Sequence, residues 1–454
     1  MEKKKKINLS TSQIIIMSFI TVILLGTFLL MLPISHQKDV EINFIDALFT
    51  ATTATCVTGL VTVTTATSWS FFGQIVILLL IQIGGLGVIT ILAGIMILLN
   101  KKFGLKDSQI IQDAFNLNTF DGLKKFIKKV LLGSLIIEGI GALLYMIVFI
   151  PQYGLSGIWI SIFNAISAFC NAGMDIIGNN SLCSYSTNFI VNFTTSMLII
   201  LGGIGFIVWW DVIRVIRNFK NQKFKCLNNL TLHTKIALSS SILLILVGGL
   251  LILIFEYNNP ETIQALSFFD KLQVSLFQSI TTRTAGFATV PQESLTNASS
   301  MVCIILMFIG GSPVGTAGGI KTVTFVVLIA TAISTIKNNK EVVLFNRTLS
   351  RDITRKAVAV CFMSLFIFIT ATLLLIIIHP EVNILDIMYE TVSATSTVGL
   401  TKNLTPYLTI GSKIIIVLTM LLGRVGPISL ATMFNINKNN ENIIKNPIEE
   451  VRIG

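Results

Sequence analysis

The sequence predicts an all-α integral membrane protein of eight transmembrane helices, built as four consecutive repeats of span, re-entrant helix and span around a central pseudo-fourfold axis. Three observations predict it. Hydrophobic residues make up 53% of the chain and charged residues 12%, which excludes a water-soluble core. Eight apolar stretches reach roughly membrane-spanning length. Four glycines, Gly59, Gly173, Gly286 and Gly399, recur at intervals of 114, 113 and 113 residues, each closing a short apolar run too brief to cross a bilayer.

In chain order the spans are expected near residues 14–32, 75–99, 130–150, 189–208, 236–255, 301–333, 357–378 and 414–433. The first follows a lysine-rich start resembling a secretory signal. Its apolar part is long and residues 31–36 make a poor cleavage site, so it reads as a retained span. The period divides the chain into repeats 1–110, 111–225, 226–340 and 341–454, the last including a C-terminal tail. A unit holding two spans and a re-entrant hairpin restores its own orientation. The four quarters are therefore parallel around an axis normal to the membrane, and such an axis implies a pore.

Within each repeat the short segment, at 44–55, 158–169, 269–281 or 384–395, would cover about 18 Å as a helix, enough to enter the bilayer and stop. Asp46, Asp270 and Asp386 fall in first turns, where a carboxylate offsets the positive end of the helix dipole. The backbone that follows must be extended at membrane depth, which is tolerated only along a water-filled path or inside protein. Glycine lets successive carbonyls turn toward the axis, so four such segments would stack rings of oxygens that replace an ion's hydration shell. About 25 residues past each filter glycine the chain carries Gly84-Gly-Leu-Gly87, Gly202-Gly-Ile-Gly205, Gly310-Gly-Ser-Pro313 or Gly423-Arg-Val-Gly-Pro427, where small residues permit close packing or bending.

Charge sets the orientation. Of 33 basic residues, 26 fall in the N-terminus, 100–129, 211–235, 337–356 and the tail, which places those segments and both termini in the cytoplasm. The opposite segments hold eleven acids against five basic residues, an acidic outer mouth that concentrates cations. The net charge of +11 is what basic cytoplasmic loops of a bacterial inner-membrane protein produce, with acidic lipid headgroups as a secondary partner, and nucleic acid is not needed to explain it. Six cysteines show no metal spacing, and only a Cys170–Cys183 bridge is left open.

At these residues the chain resembles the KtrB/TrkH/HKT superfamily of potassium transporters over nearly its whole length. The signatures are Phe44-Ile-Asp-Ala-Leu-Phe49, Cys56-Val-Thr-Gly-Leu60, Asn171-Ala-Gly173, Thr282-Arg-Thr-Ala-Gly-Phe287 and Thr397-Val-Gly-Leu400. Eight spans make it more similar to KtrB than to the longer TrkH. The resemblance implies a potassium-selective filter at Cys56, Val57, Thr58 and Gly59; Asn171, Ala172 and Gly173; Thr284, Ala285 and Gly286; and Thr397, Val398 and Gly399. Sodium-favouring HKT relatives carry serine at the first glycine. It further implies a homodimer resting on a cytosolic ring of RCK-type, KtrA-like nucleotide-binding subunits, in the bacterial cell membrane. Potassium is then the transported ion and sodium the candidate co-ion, with no covalently bound cofactor.

Two further features carry over by position. Residues 310–319, with Gly310, Gly311, Ser312, Pro313, Gly315, Gly318 and Gly319, interrupt a span as the family's intramembrane gating loop does, and Arg424 takes the place of its pore-blocking arginine. A cation buried in a bilayer faces a cavity or a partner, which reaches the same reading of Arg424. A structural ion pair is the alternative. Arg283 is expected to brace the third filter segment through carbonyls or a nearby acid such as Glu390. Met174, Cys170 and Thr64 depart from the family's usual phenylalanine, asparagine and acid, leaving fine selectivity and sodium dependence open.

Other classes fit less well. Residues 315–322 glance at a phosphate-binding loop, yet Ile320 separates glycine from lysine and the segment lies inside a span rather than after a strand. The three histidines lie at span ends and no HExxH occurs, so an enzyme is not expected. No span bears a ladder of arginines for voltage sensing.

Overall fold

A computed structural model describes residues 10–38, 40–101, 104–115, 122–217 and 228–426. Its helices are α1 Thr11–Leu30, α2 Phe44–Cys56, α3 Thr65–Ser68, α4 Phe71–Leu86, α5 Val88–Leu98, α6 Leu105–Phe115, α7 Leu123–Tyr153, α8 Ser156–Cys170, α9 Phe189–Gly203 and α10 Phe206–Arg217. They continue as α11 Leu232–Glu256, α12 Phe268–Thr281, α13 Asn297–Phe308, α14 Thr322–Ile336, α15 Arg351–Ile378, α16 Ile384–Ser396 and α17 Ile410–Val425.

Among the described residues four helices, α1, α7, α11 and α15, are long and apolar enough to cross a membrane, or up to six spans if two bent pairs each count as one. Two of the expected spans are thus not continuous helices. α4 meets α5 at 96° and α9 meets α10 at 98°. The breaks fall at Gly87 and Gly205, whose φ values of +88° and +98° no L side chain adopts without strain. A third expected span is divided between α13 and α14 by non-helical backbone that contains all of residues 310–319. α17 has 16 residues before the described chain ends, so Pro427 and the tail lie outside the described residues, as do Cys226 and the N-terminal lysines.

The long helices are apolar outside and more polar within. Leu24, Leu25 and Phe28 on α1, and Leu135 and Leu143 on α7, are more than half exposed, as a lipid-facing surface requires. The short helix α2 instead buries Thr50, Thr52, Thr53 and Thr55. Helix starts follow ordinary capping: Ser10 and Gln13 form a capping box on α1, and Ser70, Thr231 and Thr409 cap α4, α11 and α17.

Two elements were not expected. α6 forms within the basic 100–129 segment, and strands Val343–Leu344 and Arg347–Thr348 pair antiparallel. Their two-residue turn, Phe345 and Asn346, has φ of +47° and +59°, the twist that a tight hairpin requires. Cys170 and Cys183 are both free, so the bridge left open by the sequence does not form.

Candidate ion pathway

Helices α2, α8, α12 and α16 run within a residue or two of the four expected short segments. α2, α8 and α16 end on a non-glycine residue in the left-handed region: Val57, Asn171 and Thr397, at φ of +57°, +59° and +52°. α12 reaches the same state at Thr284, φ +69°. Three of these four are β-branched, for which that region costs about 1–3 kcal/mol each. The cost is borne because each turn redirects the chain into its glycine two residues on.

The four glycines converge in cyclic order. A Cβ on Gly59 would lie 2.5 Å from Ala172 O, one on Gly173 2.6 Å from Ala285 O, and one on Gly286 2.5 Å from Val398 O. Gly399 closes the ring against Thr58 O. The backbones of four distant segments therefore meet at a spacing only glycine permits, and all four have positive φ.

Each turn is held by a hydroxyl from the helix before it. Gly59 N–H donates to Thr53 Oγ1 and Gly399 N–H to Ser393 Oγ, both at 3.0 Å. In the other two repeats the sense reverses: Ser167 Oγ donates to Met174 O at 2.5 Å and Thr281 Oγ1 to Phe287 O at 2.7 Å. Cys56, Ala172, Ala285 and Val398 are buried with the rest of the ring. Thr58 Oγ1, Thr397 Oγ1 and Asn171 Nδ2 are buried without a hydrogen-bond partner among the described residues, polar atoms left over in a polar core. Gly84, Gly202 and Gly423 pack directly on Thr55 O, Phe169 O and Thr395 O near the ends of α2, α8 and α16, so close packing is one use of this second set.

A cavity of about 200 Å3 opens on the ring, lined by all four glycines together with Asp175 and Glu293. Burial pushes the Asp175 carboxyl up, against the backbone N–H groups of Ile177 and Gly178 and the Ser181 side chain, which favour its charge. A separate cavity of about 240 Å3 is lined by Gly84–Gly87, Gly315, Lys321 and Arg424.

The 310–319 loop binds the ring directly. Gly318 N–H donates to Thr284 Oγ1 at 3.1 Å, and Thr316 Oγ1 lies 3.1 Å from Phe169 O and 3.2 Å from Asn171 Oδ1. Ser312 pairs with Thr322, and its N–H donates to Gly203 O at 2.8 Å. The carbonyl of Pro313 packs on Gly205. Gly310 and Gly319 approach each other's backbone, and Gly311 packs on Ala317. Arg424 joins the loop to α4: Nη1 donates to Thr316 O at 2.5 Å, and Nη2 to Gly84 O at 2.5 Å and Gly85 O at 3.3 Å. These carbonyl partners replace the ion pair considered as an alternative.

Arg283 is buried and donates to Ser241 Oγ at 3.2 Å and Gly310 O at 3.5 Å, so it braces the start of the loop. Of the two kinds of partner expected, a carbonyl is met at Gly310 O and the acid Glu390 is not. Its carboxylate accepts from Thr401 at 2.7 Å and from Thr405, which ties α16 to the chain after its own glycine turn. Lys321 escaped the sequence reading except as part of a failed phosphate-loop match. Its Nζ donates to Ala317 O at 2.6 Å beside Arg424, and the cost of a lysine inside an apolar stretch was the signal. Asp46 and Asp386 hold their first-turn places and also pair with Lys413 at 2.7 Å and Lys402 at 2.9 Å.

A family model described as TrkH, cation transport protein, matches residues 2–446. The chain is 42% identical to the Ktr system potassium uptake protein B of Bacillus subtilis over 99% of its length and 98% of that protein's. It is 37% identical to the potassium/sodium uptake protein NtpJ of Enterococcus hirae, over 100% of this chain and 99% of that one. The crystal structure of the potassium transporter TrkH from Vibrio parahaemolyticus superposes with a TM-score of 0.75 at 16% identity, covering 95% of this chain and 86% of that one, a likeness of fold alone.

Proposed function

Because the chain belongs to the TrkH family of cation transport proteins, we propose that it is the pore-forming subunit of a bacterial potassium uptake system. α2, α8, α12 and α16 are its re-entrant pore helices, each between the two spans of one repeat, with eight spans in all. The observation that carries this reading is the cyclic approach of Gly59, Gly173, Gly286 and Gly399, each against the carbonyl oxygen preceding the next. Helix carboxyl ends carry partial negative charge and the turns beyond them present carbonyls, a setting that replaces the water around a monovalent cation.

Residues 310–319 are the gate, locked by Arg424. The loop lies against three of the four filter turns, and a guanidinium beside it repels a cation until it moves. By analogy with the Ktr system named for its relatives, the chain works with a partner subunit; the family resemblance makes that subunit cytosolic and nucleotide-binding, gives it control of the gate, and makes the chain a homodimer. Asp175 and Glu293 make the outer mouth acidic and gather cations ahead of the ring.

The test is uptake of potassium or rubidium by a bacterial strain lacking its own potassium transporters. Expression of this chain with its cytosolic partner restores uptake. The measurement is made with and without sodium, because one relative is a potassium/sodium uptake protein. Failure to restore uptake by protein present in the membrane would overturn the reading.

A further inference from the structure

Glu138 has no role in the pathway described so far. It lies halfway along α7, a candidate span, and is only 4% exposed. A carboxyl in mid-bilayer is costly and must find a partner. Its partner is the side chain of Gln82, whose Nε2 donates to Oε1 at 3.1 Å and Oε2 at 3.2 Å. The other end of the same amide, Gln82 Oε1, accepts from Cys170 Sγ at 3.5 Å. Cys170 is the last residue of α8 and stands directly before Asn171, Ala172 and Gly173.

The amide of Gln82 has two distinguishable ends, and the carboxylate fixes which one faces Cys170. With Nε2 held by both carboxylate oxygens, only Oε1 is left to meet the thiol. The fit at this point is close: a Cβ on Gly85 would lie 2.6 Å from Cys170 Sγ. Two and three residues beyond Gln82, the carbonyls of Gly84 and Gly85 are the ones Arg424 holds. One stretch of α4 is thus fastened by Glu138 through a side chain and by Arg424 through the backbone, with the end of α8 pressed against it.

We propose that Glu138 is a positioning residue for ion selection, acting through Gln82 and Cys170 to hold the second filter turn. Resting on the pore reading above, it adds a determinant outside the filter itself. Loss of the carboxylate frees the Gln82 amide, removes the support of Cys170, and lets the Asn171–Gly173 turn relax from the geometry that favours potassium over the smaller sodium ion.

The experiment measures potassium and sodium uptake side by side for the full chain with its cytosolic partner, normalised to protein in the membrane. Glu138→Ala lowers the potassium-to-sodium uptake ratio about tenfold, the scale of one buried hydrogen bond. Glu138→Gln, which keeps an oxygen acceptor for Nε2, recovers most of the ratio. Gln82→Ala matches Glu138→Ala, and the double variant is no worse than either, as members of one chain behave. Should Glu138→Ala fail to accumulate, Cys170→Ala tests the last link without touching the carboxylate and shifts the ratio in the same direction. An unchanged ratio in accumulated Glu138→Ala or Cys170→Ala would overturn the proposal. A wild-type chain with no preference for potassium would overturn the pore reading instead, so the two failures are distinct.

Discussion

At the residue scale, the ring glycines and Arg424 carry the sharpest expectations. Gly286 has φ of +82°, and its missing Cβ would lie 2.5 Å from Val398 O. Gly286→Ser must therefore push the Val398 backbone outward or distort its own turn, at a cost of about 1–2 kcal/mol for the backbone alone. Potassium-over-sodium discrimination should fall about tenfold if a comparable energy separates the two ions in the ring. Reversal potentials or paired fluxes would check this, and unchanged selectivity would count against the filter assignment. Arg424→Ala removes three hydrogen bonds to Thr316, Gly84 and Gly85 together with a positive charge beside the loop. Flux in the variant should rise severalfold if the side chain obstructs the path. Flux that vanished in a well-folded variant would assign the arginine a structural role.

At the scale of elements, the short helices were legible in the sequence because each joins a similar length and a glycine at near-constant spacing, and three of the four carry an acid in the first turn. Phe44–Cys56 and Ile384–Ser396 fall within a residue of the expected bounds. The breaks in the second and fourth spans fall at Gly87 and Gly205, inside glycine clusters expected to permit either close packing or bending, and which of the two applied at which glycine was not legible. Hydropathy runs unbroken through both, and only φ separates a packed glycine such as Gly84 from a hinge such as Gly87. Carbonyls or a nearby acid such as Glu390 were the partners expected for Arg283, and the structure supplies a carbonyl, Gly310 O. Thr401 and Thr405, eleven and fifteen residues beyond Glu390 in sequence, satisfy that acid first, since hydroxyl donors accompany its own repeat. The loop at 310–319 belongs to this scale too. Deleting residues 312–318 removes Thr316 and Gly318, its hydrogen-bond links to the turns at Asn171 and Thr284, and should make flux largely independent of the proposed cytosolic partner. Uptake by the deletion variant, with and without that partner, measures it. Full retention of partner control would refute the loop as the gate.

At the scale of the whole molecule, the proposed ring of four repeats must be closed between its first and last members. The hydrophobic clusters reflect that need: Ile23, Phe49, Cys56 and Leu60 of the first repeat share a core with Leu375, Ile387, Ala394 and Ile416 of the fourth. Across the same junction Lys413 Nζ lies 2.7 Å from Asp46 Oδ1, with both side chains at most 15% exposed. This pair lies 367 positions apart in sequence and ties the start of α17 to the first turn of α2. Removing one partner strands a mostly buried charge, which costs more than removing both. Asp46→Ala should therefore destabilise the detergent-solubilised protein by about 1–3 kcal/mol, the cost of a mostly buried group left unpaired, and Asp46→Ala combined with Lys413→Ala by less than Asp46→Ala alone. Thermal unfolding of the three proteins in one detergent reads the difference. If the double variant were the least stable, the pair would be an ordinary sum of independent contacts, and closure of the ring would rest on the shared apolar core alone.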